Sequence, residues 1–184
     1  MHLPALSFRR LIGAAAIACA AALAPVAAPS ATASAAAPTG AAAAASTRKC
    51  ATSGLVIWLN TRASGTAGSL YYTLEFTNLS GHACTLLGYP GVSAVDLDRH
   101  QLGSAASQNN HLTPHLVSLA SGATATAVLR IGDVGHFPTC GRVTAAGLRV
   151  YPPNQTAAEV VPFPFGACSR TGPVYLSVEV VVQA

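Results

Sequence analysis

Charge is scarce in this sequence. Asp, Glu, Lys and Arg together make up 9% of its 184 residues, and the aromatics only 6%. The formal charge of +4 counts Arg9 and Arg10 at the N-terminus, so the rest of the chain is nearly balanced. No basic stripe stands out, which argues against nucleic acid as a partner. Hydrophobic residues reach 51%, but many are alanines in the first 45 positions. After these, no run approaches the roughly 18 apolar residues that a membrane-spanning helix requires. Neither a G-x-S-x-G elbow nor a C-x-x-C pair occurs. Without them, the sequence signs of a serine hydrolase and of a zinc site are missing.

What is present begins with a leader. Residues 1–35 read as a secretory signal peptide, with Arg9-Arg10 as its positive region and Leu11 to Leu23 as its apolar region. Small-x-small cleavage sites follow at Ala31-Thr32-Ala33 and Ala33-Ser34-Ala35. Cleavage after Ala33 or Ala35 is favoured, because earlier cuts would leave proline first. SFRRLIG resembles a twin-arginine export signal, although Phe8 stands where that pattern carries a polar residue. Cys19 is an alternative lipid-attachment site, but the apolar AAALA after it embeds it in the signal. Residues 36–48, mostly alanine, read as a flexible spacer. Residues 49–184 remain as the folded domain, and the expected location is secreted or on the extracellular face of the cell envelope.

Four cysteines follow the leader: Cys50, Cys84, Cys140 and Cys168. An even number in an exported chain implies two disulfides. Ser53 to Leu59 and Ser69 to Asn78 are β-type runs separated by turn-rich Asn60 to Gly68, so Cys50 and Cys84 fall at the open end of a hairpin. Cys140 and Cys168 stand outside a second pair of runs, Leu148 to Pro152 and Ala158 to Phe163. The predicted pairs are therefore Cys50–Cys84 and Cys140–Cys168, provided that each pair of runs shares a sheet.

Alternation marks further strands. Leu70, Tyr72, Leu74 and Phe76 share one face. Ala125, Ala127, Leu129 and Ile131 share another, as do Val174, Leu176, Val178, Val180 and Val182. Gly91 to Leu97 and His115 to Leu119 also look extended, and no helix is evident after the leader. Seven or more short strands with frequent turns predict an all-β, antiparallel, immunoglobulin-like β-sandwich with Greek-key connections. A closed barrel is the alternative. Trp58 is expected in the core or on the hairpin's outer face.

Candidate chemistry is thin. Asp96-Leu97-Asp98 places two carboxylates on one face of a strand end, where they could flank a glycosidic bond or hold calcium. Asp98-Arg99, however, has the composition of a turn, which favours local backbone bonding. Of the histidines His82, His100, His111, His115 and His136, only His111 and His115 have a metal-pair spacing, and Pro114 interrupts the helix that this spacing would need. Asn78-Leu79-Ser80 and Asn154-Gln155-Thr156 match a glycosylation pattern by chance composition. Alternation points Tyr71, Tyr151 and Tyr175 outward, a possible binding surface for a protein or carbohydrate partner. No catalytic residue, cofactor or metal is expected. A non-catalytic binding module is favoured over an envelope lipoprotein anchored at Cys19, and over a hydrolase.

The ordered motifs YYTLEFTNLSGHACTLLGYPGVSAVDLDRHQLG, LASGATATAVL and CGRVTAAGLRVYPPNQT, followed by a last cysteine and a valine-rich strand, resemble the exported actinobacterial family catalogued as domain of unknown function 4232. The resemblance runs from about Cys50 to the end. It implies secreted proteins and lipoproteins with a β-sandwich domain, and carries over no activity and no site residues.

Overall fold

The computed structural model describes residues 48–184. The signal peptide, Cys19 and all of the spacer except Arg48 lie outside the described residues. Within them the chain is all-β, with twelve strands: β1 Leu55–Thr66, β2 Ser69–Asn78, β3 Cys84–Leu87, β4 Gly91–Val95, β5 Gln101–Leu102, β6 Ser107–Gln108, β7 Leu116–Leu119, β8 Thr124–Gly132, β9 Arg142–Tyr151, β10 Glu159–Cys168, β11 Leu176–Val178 and β12 Val182–Gln183. The helical segments among these residues are single 3₁₀ turns at Thr52–Gly54 and Val134–His136.

Two sheets form the β-sandwich. One has the order β1-β2-β8-β11-β6, with β12 also paired to β8; the other has the order β10-β9-β4-β5. β3 and β7 make a separate pair. Neighbours are antiparallel except β11 and β6. Strand order departs from chain order at β2-β8 and β9-β4, so the chain crosses between sheets and most of the core is non-local. Leu74 and Phe76 of β2, Leu129 of β8, Val92 of β4, Leu148 and Val150 of β9 and Leu176 of β11 join one buried cluster. Burial of each such side chain contributes about 1.5–3 kcal/mol.

Alternation explains most of this packing. Ala125, Ala127, Leu129 and Ile131 all face inward on β8. The first hairpin runs further than its composition suggests. The strand continues to Thr66, pairing with β2 again at Ser64 to Thr66 after an irregularity at Thr61 to Ala63, and the chain turns only at Ala67-Gly68. Gly68 supplies the positive φ of 77° that the turn requires. Trp58 is opposite Glu75 and half exposed, on the hairpin's outer face.

Both disulfides pair as predicted. Cys140–Cys168 closes the open end of the β9–β10 hairpin, where Cys168 lies opposite Arg142 and the Ser169 N–H donates to the Gly141 carbonyl at 2.8 Å. Cys50–Cys84 reaches one element further than a hairpin clamp. Thr85 donates to the Arg48 carbonyl at 2.9 Å, and Cys50 donates to the Thr85 carbonyl at 3.0 Å. This disulfide therefore ties the lead-in of β1 to β3, and through β3 to β7.

Asn78 holds the same end of the fold. It is fully buried, so its Asn-Leu-Ser pattern is not a surface acceptor for a glycan. Its Nδ2 donates to the carbonyls of His82 at 2.8 Å, Leu119 at 3.0 Å and Ala120 at 3.2 Å. Its Oδ1 accepts from the Ser80 N–H at 3.0 Å and the Ser80 hydroxyl at 2.7 Å. One side chain thus joins the loop after β2 to the end of β7.

Alternation fails near the C-terminus. Val174 is exposed and Tyr175 is fully buried, the reverse of expectation. β11 begins only at Leu176, so the pleat does not extend back to these residues. Instead the Tyr175 carbonyl accepts from the Gly132 N–H at 2.7 Å, and its ring turns inward. Val180 and Val181 are both buried because the chain kinks between β11 and β12, where the Val181 N–H donates to the Gly88 carbonyl at 3.0 Å.

Candidate functional site

The three tyrosines expected to form a surface are not brought together. Tyr71 lies on β2 of the first sheet and Tyr151 on β9 of the second, both partly exposed. Tyr175 is core. Its hydroxyl donates to the Leu102 carbonyl at 3.4 Å, and burial pushes its pKa up, with a backbone hydrogen bond at Cys168 acting the other way. The sign of the consequence is fixed. Tyr175 is neutral in both states below the unfolded value near 10. As pH rises from there through the higher folded value, the unfolded chain ionises first and stability is lost. Tyr175→Phe is expected to flatten this alkaline loss, measured as chemical denaturation midpoints at pH 8 and above pH 10.

The paired carboxylates take the turn role. Asp96, Asp98 and His100 have ligand atoms within 4.8 Å of one another. Asp96 Oδ1 already accepts the His100 N–H at 2.7 Å, and Arg99 takes a positive φ of 64° at the bend. Leu97 is 90% exposed at its tip, so these groups stand on an open turn and not in a cleft. All five histidines named above are exposed.

A different site emerges from the sandwich edge. On β2 the inward residues grade from buried Phe76 and Leu74 through half-buried Tyr72 to Leu70, 46% exposed. The facing sheet therefore ceases to cover this end of β2. The edge strand of each sheet is irregular at the same place. On β1, Thr61 to Ala63 stand opposite Tyr72 alone, between the pairs Asn60–Thr73 and Ser64–Tyr71. On β10, Phe163 and Pro164 stand opposite Ala146 alone, between Pro162–Gly147 and Phe165–Ala145. Bulges of this kind bend an edge strand and re-aim its side chains, and they are frequent beside binding sites. Pro162 and Pro164 also remove two N–H donors from β10, which blunts it against pairing with another strand. At Gly147 a Cβ would lie 2.5 Å from the Val161 carbonyl oxygen, so only glycine admits this close backbone approach.

Between the bulges lies a half-open cleft of about 380 Å³. Tyr72 and Phe165 line it, with Leu70, Ile131 and Val134. Phe163 backs them, edge-on to Tyr72 with ring centres 5.0 Å apart and stacked on Phe165 at 5.8 Å. Asp133 is the one charged residue in the lining. Its Oδ1 accepts the Gly135 N–H at 2.8 Å, capping the short turn at Val134–His136.

The sequence contained this site in fragments. Leu70 and Tyr72 read as core because alternation does not say where the opposing sheet ends. Pro162-Phe163-Pro164-Phe165 carried the better signal, since two prolines in a strand mark an edge and two aromatics between them need a partner surface.

The family model described as "Domain of unknown function (DUF4232)" matches residues 50–183. The chain belongs to this family. The match begins at Cys50, the first disulfide cysteine, and ends one residue short of the C-terminus, so the DUF4232 domain takes in the two disulfides and the whole cleft. No curated protein and no solved structure matches the chain. Among the described residues of this DUF4232 domain, no helix is long and apolar enough to cross a membrane.

Proposed function

We propose that this chain is an exported, non-catalytic module that binds an apolar ligand at or outside the cell envelope, through the mouth between β2, β8 and β10. The observation that carries this reading is the aromatic-lined cleft framed by two bulged edge strands. Ligand sites are characteristically concave, mostly apolar and equipped with a few polar groups, and this volume is in their range. Export is supported by the leader pattern and by two disulfides, which persist in oxidising compartments. The spacer would give the domain reach from a surface.

Binding of the neutral fluorescent probe N-phenylnaphthylamine tests the site. The parent protein should enhance its emission saturably. Phe165→Ala, which removes a half-buried ring, should weaken binding about tenfold while the protein still melts cooperatively, since a ring's apolar area is worth one to a few kcal/mol. Equal binding by parent and variant would remove the cleft from consideration. The intact mass of protein exported by its host tests the location. A start at Ser34 or Ala36 supports a released module, whereas a start at Cys19 with added acyl mass makes it an anchored one.

A further inference from the structure

The cleft has a directional charge. Its walls are mostly apolar and aromatic, and its only charged lining group is the Asp133 carboxylate. Oδ1 of that carboxylate is engaged by the Gly135 N–H at 2.8 Å. Oδ2 lies 3.9 Å from His136 Nε2, too far for a hydrogen bond. One oxygen at the rim therefore has no hydrogen bond and is open to a ligand donor, with His136 at ion-pair distance beside it. Tyr72 and Phe165 in the lining do not oppose this polarity, because an aromatic face attracts cations and is indifferent or hostile to anions. No arginine or lysine lines the cleft to offset either.

From this juxtaposition we infer that the ligand is a small cationic amphiphile: an apolar body seated on Tyr72 and Phe165, and an amine or quaternary ammonium end at Asp133. This rests on the reading of the cleft as a ligand site and deepens it by naming the class of occupant. The apolar body supplies most of the affinity, by covering Leu70 and Ile131 and the two rings. The cation supplies selection. Asp133 is more than half exposed, so solvent screens its charge and the preference it confers is modest.

Three probes of one chain length separate the contributions: octylamine, octanol and octanoate, titrated by calorimetry at neutral pH into the parent protein and into Asp133→Asn. Asparagine retains an oxygen to accept the Gly135 N–H, so the turn at Val134–His136 persists in the variant. The parent should prefer octylamine over octanol by about fivefold and bind octanoate most weakly, the size expected of one screened ion pair with aromatic support. In Asp133→Asn the amine and the alcohol should bind alike, with octanol affinity unchanged. Added salt should erode the parent's amine preference and leave octanol untouched. Equal binding of amine and alcohol to the parent, or preference for octanoate, overturns the inference and leaves the apolar site standing. An amine preference that survives in Asp133→Asn overturns the role of that residue. If none of the three binds, the site itself is lost and the inference with it.

Discussion

Replacing Asn78 by leucine is expected to cost about 3–5 kcal/mol of stability, at the upper end for a single substitution. Leucine has the same branching and is larger, so the loss would not come from a cavity. It would come from the partners left behind. Asn78 is fully buried, and its amide serves three carbonyls, of His82, Leu119 and Ala120, while its oxygen serves both donors of Ser80. A buried polar group left unpaired costs about 1–3 kcal/mol, and water can reach some of these groups but not all. The loop after β2 should then detach from the end of β7. Urea denaturation would read this as a lower midpoint with a similar slope. Asn154→Gly is the control: Asn154 is exposed, makes one side-chain bond to the Leu87 carbonyl and has a φ of 59° that glycine tolerates. It should change stability by no more than about 1 kcal/mol. Equal effects at the two positions would refute the role given to Asn78.

Reduction of the two disulfides should be more damaging still. The bridged cysteines are 34 and 28 residues apart. Loop closure over such lengths restricts the unfolded chain by about 4 kcal/mol for each bond. Together they approach the whole net stability of a typical domain, about 5–15 kcal/mol. The reduced protein should thus be marginal at 37 °C, with its melting point lower by at least about 15 °C. Paired substitution to alanine separates the bonds. Alanine is preferable to serine, because Cys50, Cys84, Cys140 and Cys168 are all buried and a hydroxyl there would lack a partner. Cys140→Ala with Cys168→Ala should leave the β9–β10 ladder formed, since backbone bonds at Gly141 and Cys140 extend it. Cys50→Ala with Cys84→Ala should be felt further, by freeing the lead-in of β1 from β3. Hydrogen exchange at the Cys50 and Thr85 amides would show that release.

These effects bear on how much of the molecule was legible beforehand. Strand faces were readable wherever a run was half-buried over its whole length, as on β8. The disulfide pairs were readable because each hairpin brings its outer ends together, whatever the detailed register. Three features were not. The β1–β2 hairpin continued through a polar segment, because backbone pairing does not require apolar side chains. Tyr175 turned inward because a strand boundary, set by the Gly132 contact, fell one residue after it. The cleft depended on two bulges meeting across the sandwich, and a bulge is a property of pairing that one strand's sequence does not contain. Of the tyrosines expected on one surface, Tyr175 is buried and Tyr71 and Tyr151 lie on different sheets, while Tyr72 reads in the sequence only as part of a strand face and Phe165 falls beyond the run Ala158 to Phe163.

The most direct test of the account is a map of where an apolar ligand lands. Octanol titrated into isotope-labelled protein should shift the side-chain signals of Leu70, Ile131, Val134 and Phe165 together, with one affinity, and leave the ring signals of Tyr71 and Tyr151 unmoved. Shifts centred elsewhere, for example around Leu87 and Leu116 on the β3–β7 pair, or none at saturating octanol, would contradict the assignment of the mouth between β2, β8 and β10 as the binding site.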